Sequence, residues 1–502
     1  MSKKIVILVL FIVYPSLLQA QNLDQILQYS LEYPSYDAVS LVVPAVSQSS
    51  GFGGYQDNPA SMALVDKSYF SVGLSNRYID DTSTYLDNKS TFSSSETNIG
   101  DLGFIYKVPT VRGSMVVGGG YSQSTDFNKV FRNSGYNSSS TITDLYAKFP
   151  KSVSLNEAAY NTFAIEDVNN DSSVSILRFG DSFSNYPGIN QHIELVEKGV
   201  QGEYSLFLAT EVLKDMFLGG AIGYSRGTYT SEREFLESDQ RNNYDGQFID
   251  VDGDGQFETD IDNILSIQTI ETELQAFQAR VGIVYKPIES INVGISYKFP
   301  SVVYIDERFT TSITTSFDDG TKSETVKASG NYYYDTPSEV KEAASLSKIY
   351  KPAKVKGGMM VAAMDNFSIS IAAEYTRYSK TEIDFEEPDQ SITETRINRL
   401  ISSSFENIIN LRMGLEYAIN EQLTPRLGYA YMSGPRSGIG KEKQFINGGF
   451  TAELTEGLLF DLGVQFSFWE EENVLYKTSR VQARIAENVS RLHVMASIRM
   501  TL

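Results

Sequence analysis

Few residues in this 502-residue chain have side chains suited to chemistry, and their types restrict the choices. There is no Cys, which excludes a disulfide scaffold, a thiol nucleophile and a Cys-ligated zinc or iron–sulfur centre. The two histidines, His192 and His493, are far apart in sequence and neither has a patterned nucleophile beside it. Proton-relay and multi-His metal catalysis therefore lack their parts, and no enzyme is expected. The one pattern that suits an ion is DVDGDGQFETDID at 250–262. Asp250, Asp252 and Asp254 fall at positions one, three and five, with Gly255 at six, so alternate oxygens could wrap a hard cation around a sharp turn. Position twelve is Ile261, flanked by Asp260 and Asp262, where a bidentate Glu would complete the loop. Asp250, Asp252, Asp254, Glu258 and Asp260 form the candidate Ca²⁺ set; a solvated acidic loop is the alternative, and no cofactor is required.

The surrounding composition says what must carry such a loop. Asp and Glu number 63 against 42 Lys and Arg, a formal charge of −21, which leaves no general attraction to nucleic acid. Residues 231–262 alone hold 11 acidic and 2 basic side chains. Tyr (31), Phe (28) and Gly (37) are abundant. Residues 1–20, MSKKIVILVLFIVYPSLLQA, read as a secretory signal peptide: two lysines, a short apolar stretch, then Ala20. No later apolar run is long enough for a spanning helix, so an exported chain of this kind is soluble or a closed β-barrel.

Period-two alternation decides between them. Ile409, Leu411, Met413, Leu415 and Tyr417 lie on one face of 409–419, with Asn410, Arg412, Gly414 and Glu416 on the other. Segments 291–299, 367–375 and 458–468 repeat the plan, and several apolar stripes end in Tyr or Phe, as lipid-facing strands with aromatic girdles do. About fourteen such segments run from residue 69 to 502, and their connections alternate strictly between short turns and long loops. The expected fold is all-β: a transmembrane antiparallel β-barrel of about 14 strands, with short periplasmic turns and long extracellular loops. Extending the alternation puts Ile105, Val116, Val284, Met360, Met364, Leu459 and Met495 on the lumen side. Were the barrel to carry a hydrophobic ligand, they would form its candidate track; otherwise they are the wall against which a segment filling the lumen packs.

Residues 21–68 have no place in that wall. They contain Gly51, Gly53 and Gly54, then Asn58-Pro59-Ala60, a rigid turn just ahead of the first strand. Here the chain resembles the FadL-type outer-membrane transporters of long-chain fatty acids and other hydrophobic compounds, whose N-terminal hatch ends in a glycine-rich stretch and an NPA motif. YSQSTDFNKVFRNSGYN (121–137) is similar to the third strand and following loop of the family's Bacteroidetes-like branch, and LRMGLEYAINEQLTPRLGYAYMSGP (411–435) to its late hairpin.

The resemblance implies a signal peptide (1–20), a lumenal hatch (21–68) and an outer-membrane barrel (69–502) of a Gram-negative cell, inserted by the outer-membrane assembly machinery. It implies passive, gated uptake of a fatty acid or another hydrophobic small molecule through the plugged barrel. The partners are then the outer-membrane lipid bilayer and that ligand. It also implies a side opening at a kink in the third strand, whose counterpart here is Gly118, Gly119 and Gly120, a run that weakens a ladder. Related barrels serve as docking or shuttle proteins in type IX secretion, which is the alternative function.

Overall fold

The computed structural model describes residues 17–32, 37–149, 154–169, 172–178, 186–246, 248–251, 253–329, 345–385, 391–436, 442–477 and 481–502. The expected signal peptide lies outside these residues except for its last turn, because the helix α1 (Leu17–Ser30) already begins at Leu17. Fourteen staves make the wall. They are β1 (Tyr69–Tyr85), β2 (Asn88–Val108), β3 (Met115–Asp126), β4 (Ile189–Leu213), β5 (Met216–Ser238), β6 (Ile261–Ile288), β7 (Ile291–Lys298 with Ser301–Phe317), β8 (Ser345–Lys351 with Lys354–Met364), β9 (Phe367–Arg377), β10 (Asn407–Tyr417), β11 (Leu423–Met432), β12 (Lys443–Thr455), β13 (Leu458–Lys477) and β14 (Gln482–Thr501). β7 and β8 are interrupted at Pro300 and Pro352, where proline has no N–H to give the ladder.

Every neighbouring pair is antiparallel, and β14 pairs back onto β1 from Tyr69↔Thr501 to Thr84↔Ala486. The sheet is therefore closed into a ring. Alternation follows the sequence pattern. In β1, Ser71, Ser75, Arg77, Ile79 and Asp81 point inward and are buried, while Phe70, Val72, Leu74 and Tyr78 face out. The outward face carries an aliphatic band, including Leu206, Ile222, Ile283, Ile295, Leu411 and Leu427. Aromatics such as Phe104, Tyr106 and Tyr285 lie toward the short-turn end, and Phe277, Tyr304, Tyr375 and Phe468 toward the other. That layout suits a hydrocarbon layer between two interfaces.

The strands outrun the membrane. β6 has 28 residues where roughly 9–11 suffice to cross. Their upper ends join a folded cap made by the long loops, with the short helices α2 (Thr143–Tyr146) and α3 (Ser154–Asn161) and the strand Lys129–Asn137. Phe131, Ile142, Tyr146, Phe235, Ile313 and Tyr476 share its apolar core. A buried ion pair between Arg178 and Asp144 ties this cap together.

The N-terminal region fills the lumen in two parts. Residues 37–65 form an almost wholly buried plug that contains two 3-10 turns, Phe52–Gln56 and Pro59–Leu64. Above it, α1 packs Leu23, Ile26, Leu27 and Tyr29 against Leu274 and Val303 of the wall and against Ile397 and Ile401 of α4 (Ser391–Ser404). Gln25 of α1 donates to Glu307 at 2.8 Å.

Candidate functional site: the plugged lumen

The plug is held first by shape. Gly103, Gly219, Gly282, Gly294, Gly358, Gly414, Gly428 and Gly463, on eight different staves, each face it so closely that an added Cβ would overlap plug atoms. The overlapped atoms belong to Phe52, Ala60, Asn58, Val46, Val43, Val42 and Ala38. A side chain at these places would occupy volume already filled by plug backbone or plug side chains, so glycine is required by close approach.

Polar bonds then fix its orientation. Asn58 of the NPA motif caps the turn Pro59–Leu64 by accepting from Ala60 N at 3.0 Å. Its Nδ2 donates to Val46 O at 2.6 Å and to Ile283 O of the wall at 3.1 Å. Asp37 accepts from Val39 N, Ser40 N and Gly53 N at 2.8, 2.9 and 2.5 Å. Gly51 adopts φ 64°, and a Cβ there would overlap the Asp37 carboxylate. Asp57, 2% exposed, pairs with Lys356 at 2.7 Å and Arg412 at 2.8 Å, and accepts from Ala45 N at 3.0 Å. Higher up, Glu32 sits among Lys298, Lys351 and Lys354 at 2.7, 2.8 and 3.4 Å.

Above the plug lies a cavity of about 270 Å³. Its lining mixes apolar Leu27, Leu31, Ile79, Phe127, Ile408 and Val489 with Asp81, Glu471, Lys129 and the indole of Trp469. The expected track residues stand mostly elsewhere. Ile105, Val116 and Val284 join Phe52, Tyr55, Ala60 and Met62 in one buried cluster, and Met495 packs on Ala38 and Leu41. These four hold the plug and do not border the cavity. Met360 and Leu459 are half-buried, and Met364, 67% exposed, lies at the β8–β9 turn where a bulge carries it out of the lumen. Alternation assigns a face, but it does not say how high on the strand the open space begins.

The glycine run also needs correcting in place. β3 pairs without interruption through Gly118, Gly119 and Gly120 to both β2 and β4. Added side chains there would overlap Phe207, Leu206 and the backbone of Leu102, so the run serves close wall packing. Ladder loss comes higher. β2 pairs with β3 only from Asp101↔Ser122 downward, while Asn88–Gly100 are not laddered to β3. The gap is bridged by Arg77–Asp126 at 2.9 Å and by Asn128 donating to Glu96.

The expected calcium loop is not gathered on one point. Asp250 accepts from Gly253 N and Gly255 N, Asp254 accepts from Gln256 N, and Glu258 is exposed. Asp252 lies outside the described residues. Among those described, the trio of carboxylates that comes together within 4.8 Å is Asp245, Asp260 and Asp318. Asp318 belongs to a different loop, which residue spacing within 250–262 could not reveal. Desolvation and the neighbouring Asp260, Asp262 and Asp245 push Asp318 up to about 6. His493 Nε2 lies 2.9 Å from Ser75 Oγ, but its Nδ1 has no partner among the described residues, so no Ser–His–acid relay is formed.

A closed fourteen-strand barrel, lipid-faced outside and filled by its own N-terminal segment, defines an outer-membrane channel protein of the plugged class. The chain belongs to the outer membrane protein transport protein family (OMPP1/FadL/TodX), whose profile matches residues 203–496. It is therefore a member of a family of outer-membrane transporters for hydrophobic compounds. Among solved structures it is similar to the Pseudomonas putida toluene transporter TodX, with TM-score 0.53, 12% identity and coverage of 93% of this chain and 99% of that one. A Pseudomonas aeruginosa FadL homologue gives 0.50, 13%, 93% and 99%. At such identities the likeness concerns the fold. No curated protein matches closely enough to count as a relative.

Proposed function

We propose that this protein takes up long-chain fatty acids or other hydrophobic small molecules by passive, gated diffusion, after its insertion by the outer-membrane assembly machinery. The observation that carries the reading is the seated plug below a partly apolar cavity, with eight wall glycines shaped to receive it. A ligand entering from the cap meets the cavity first, and it passes only when the plug shifts or the wall opens sideways. The stretch above Ser122, where β2 and β3 are not laddered to each other, is the side exit this reading uses.

The test is uptake of a fluorescent long-chain fatty acid, and separately of a monoaromatic hydrocarbon, by cells or proteoliposomes carrying the protein. Uptake that saturates and depends on the protein supports the proposal. Rates equal to those of empty membranes for both probes would remove it. Removing the Arg77–Asp126 bridge with Arg77→Met should raise uptake if the side exit is used, because that pair spans the gap.

A further inference from the structure

The end of α1 carries a carboxylate into a cluster of lysines. Lys298 Nζ donates to both oxygens of Glu32, at 2.7 and 2.8 Å, and Lys351 and Lys354 approach the same group at 2.8 and 3.4 Å. None of these four side chains is more than 13% exposed. The lysines come together where β7 and β8 break at Pro300 and Pro352, and Lys298 stands directly opposite Lys354 in the ladder. Like charges directly across a ladder repel, so this part of the wall is buried only with an anion between them.

Glu32 is that anion, and the wall depends on it. Lys354 also reaches Glu374 at 3.7 Å, but Lys298 and Lys351 make no other ion pair among the described residues. Withdrawing Glu32 alone would leave two buried ammonium groups without a counter-ion, which is strongly unfavourable. Yet Glu32 belongs to the segment that must move if the plug is to shift. It lines the upper cavity with Leu27 and Leu31, and Asp37 of the plug follows five residues later. Leu23, Ile26 and Leu27 of α1 lie in one apolar cluster with Leu274, Val303 and Ile349 of the wall. An apolar stretch that ends in a carboxylate held by lysines has the layout of a long-chain carboxylate, built from the protein's own chain.

We propose that α1 and Glu32 are an internal occupant of a carboxylate site. The carboxylate of an aliphatic ligand arriving in the upper cavity replaces Glu32 on Lys298 and Lys351 and so releases the end of α1. One anion is exchanged for another, and the lysines keep a counter-ion throughout. A neutral alcohol of the same length enters the cavity but leaves Glu32 in place. Similar contacts continue toward the plug, since Glu374 lies 3.3 Å from Lys356 and Lys356 reaches Asp57 at 2.7 Å. The inference rests on the uptake reading and adds what triggers it.

The single tryptophan, Trp469, lines the cavity that Glu32 borders, so its fluorescence reports ligand arrival, and hydrogen exchange over 23–32 reports release of α1. The purified full-length barrel in maltoside is given dodecanoate, dodecanol or acetate at pH 8. Dodecanoate is expected to speed exchange over 23–32 at least about tenfold, and dodecanol and acetate to leave it unchanged. Glu32→Gln should tighten dodecanoate binding at least about tenfold, because the competing carboxylate is gone. Lys298→Met and Lys351→Met should weaken it toward the dodecanol value. A role confined to stability would move all three variants in one direction, whereas exchange requires opposite signs. Heat-modifiable migration on gels verifies that each variant is folded, and the exchange measurement on the parent protein needs no variant. Equal responses to dodecanoate and dodecanol, release by acetate alone, or a Glu32→Gln barrel that binds dodecanoate no better than the parent overturns the inference and leaves the uptake reading standing. If neither dodecanoate nor dodecanol reaches the cavity, the uptake reading falls as well.

Discussion

Asp57 is the residue on which plug seating depends most directly. Both of its oxygens are used: Lys356 on one, Arg412 and the amide of Ala45 on the other, all within 3.0 Å. Asp57→Ala removes three bonds and leaves two cations facing each other in the lumen. Breaking a buried pair by deleting one partner costs roughly 3–5 kcal/mol. Lys356 keeps Glu374 at 3.3 Å and Arg412 keeps the carbonyl of Ser40, so the lower end, about 3 kcal/mol, is the reasonable figure. That changes the ratio of seated to unseated plug by roughly 100-fold. The wall should remain intact, because no ladder bond involves Asp57. The assay is planar-bilayer conductance together with protease sensitivity of the plug. Asp57→Ala should show frequent large openings and a newly cleavable segment between 37 and 65. Asp57→Asn should show a weaker form of both, and adding Lys356→Met to Asp57→Ala should restore part of the closed state. If Asp57→Ala conducts and resists protease like the parent protein, the ion pairs do not seat the plug and the reasoning fails.

Other expectations follow from the same geometry. Gly282→Val and Gly294→Val should unseat the plug as Asp57→Ala does, whereas Gly448→Val, whose nearest neighbour is a Leu427 methyl 3.9 Å away on the outer face, should behave like the parent in the same conductance assay. Gly118→Val and Gly120→Val should reduce the yield of folded barrel on heat-modifiability gels, since each added side chain meets wall backbone. At the mouth, the raised value of Asp318 means its contacts with Asp260 are favoured in acid and lost as pH rises through about 6. Hydrogen exchange at 259–262 and 317–321 should therefore be slower at pH 5 than at pH 7.5 once corrected for intrinsic rate, and Asp318→Asn should abolish the difference. Calorimetry with Ca²⁺ on the refolded barrel should give heat that Asp260→Asn removes more completely than Asp250→Asn; the opposite order would return the ion to the 250–262 loop.

The number of staves, their inward and outward faces and the alternation of short turns with long loops were legible in the chain, because each is local. Side-chain direction in a strand has period two, and turn length is a property of a few consecutive residues. The NPA motif was legible for the same reason, since Asn58 caps a turn only two residues on. The glycines Gly294, Gly414 and Gly463 were visible on the inner faces, but not their use, because what each meets is a plug residue hundreds of positions away. The candidate track shows the same limit: Ile105, Val116 and Val284 were assigned the inner face, yet only packing decides that they hold the plug and do not border the space above it. The charged groups are the plainest instance. Lys129 meets Glu471 and Glu487 across 342 and 358 residues, and Asp318 meets Asp260 from a separate loop. Residue order along the chain specifies the strands, but closing them into a ring is what places distant charges side by side in a region that water leaves.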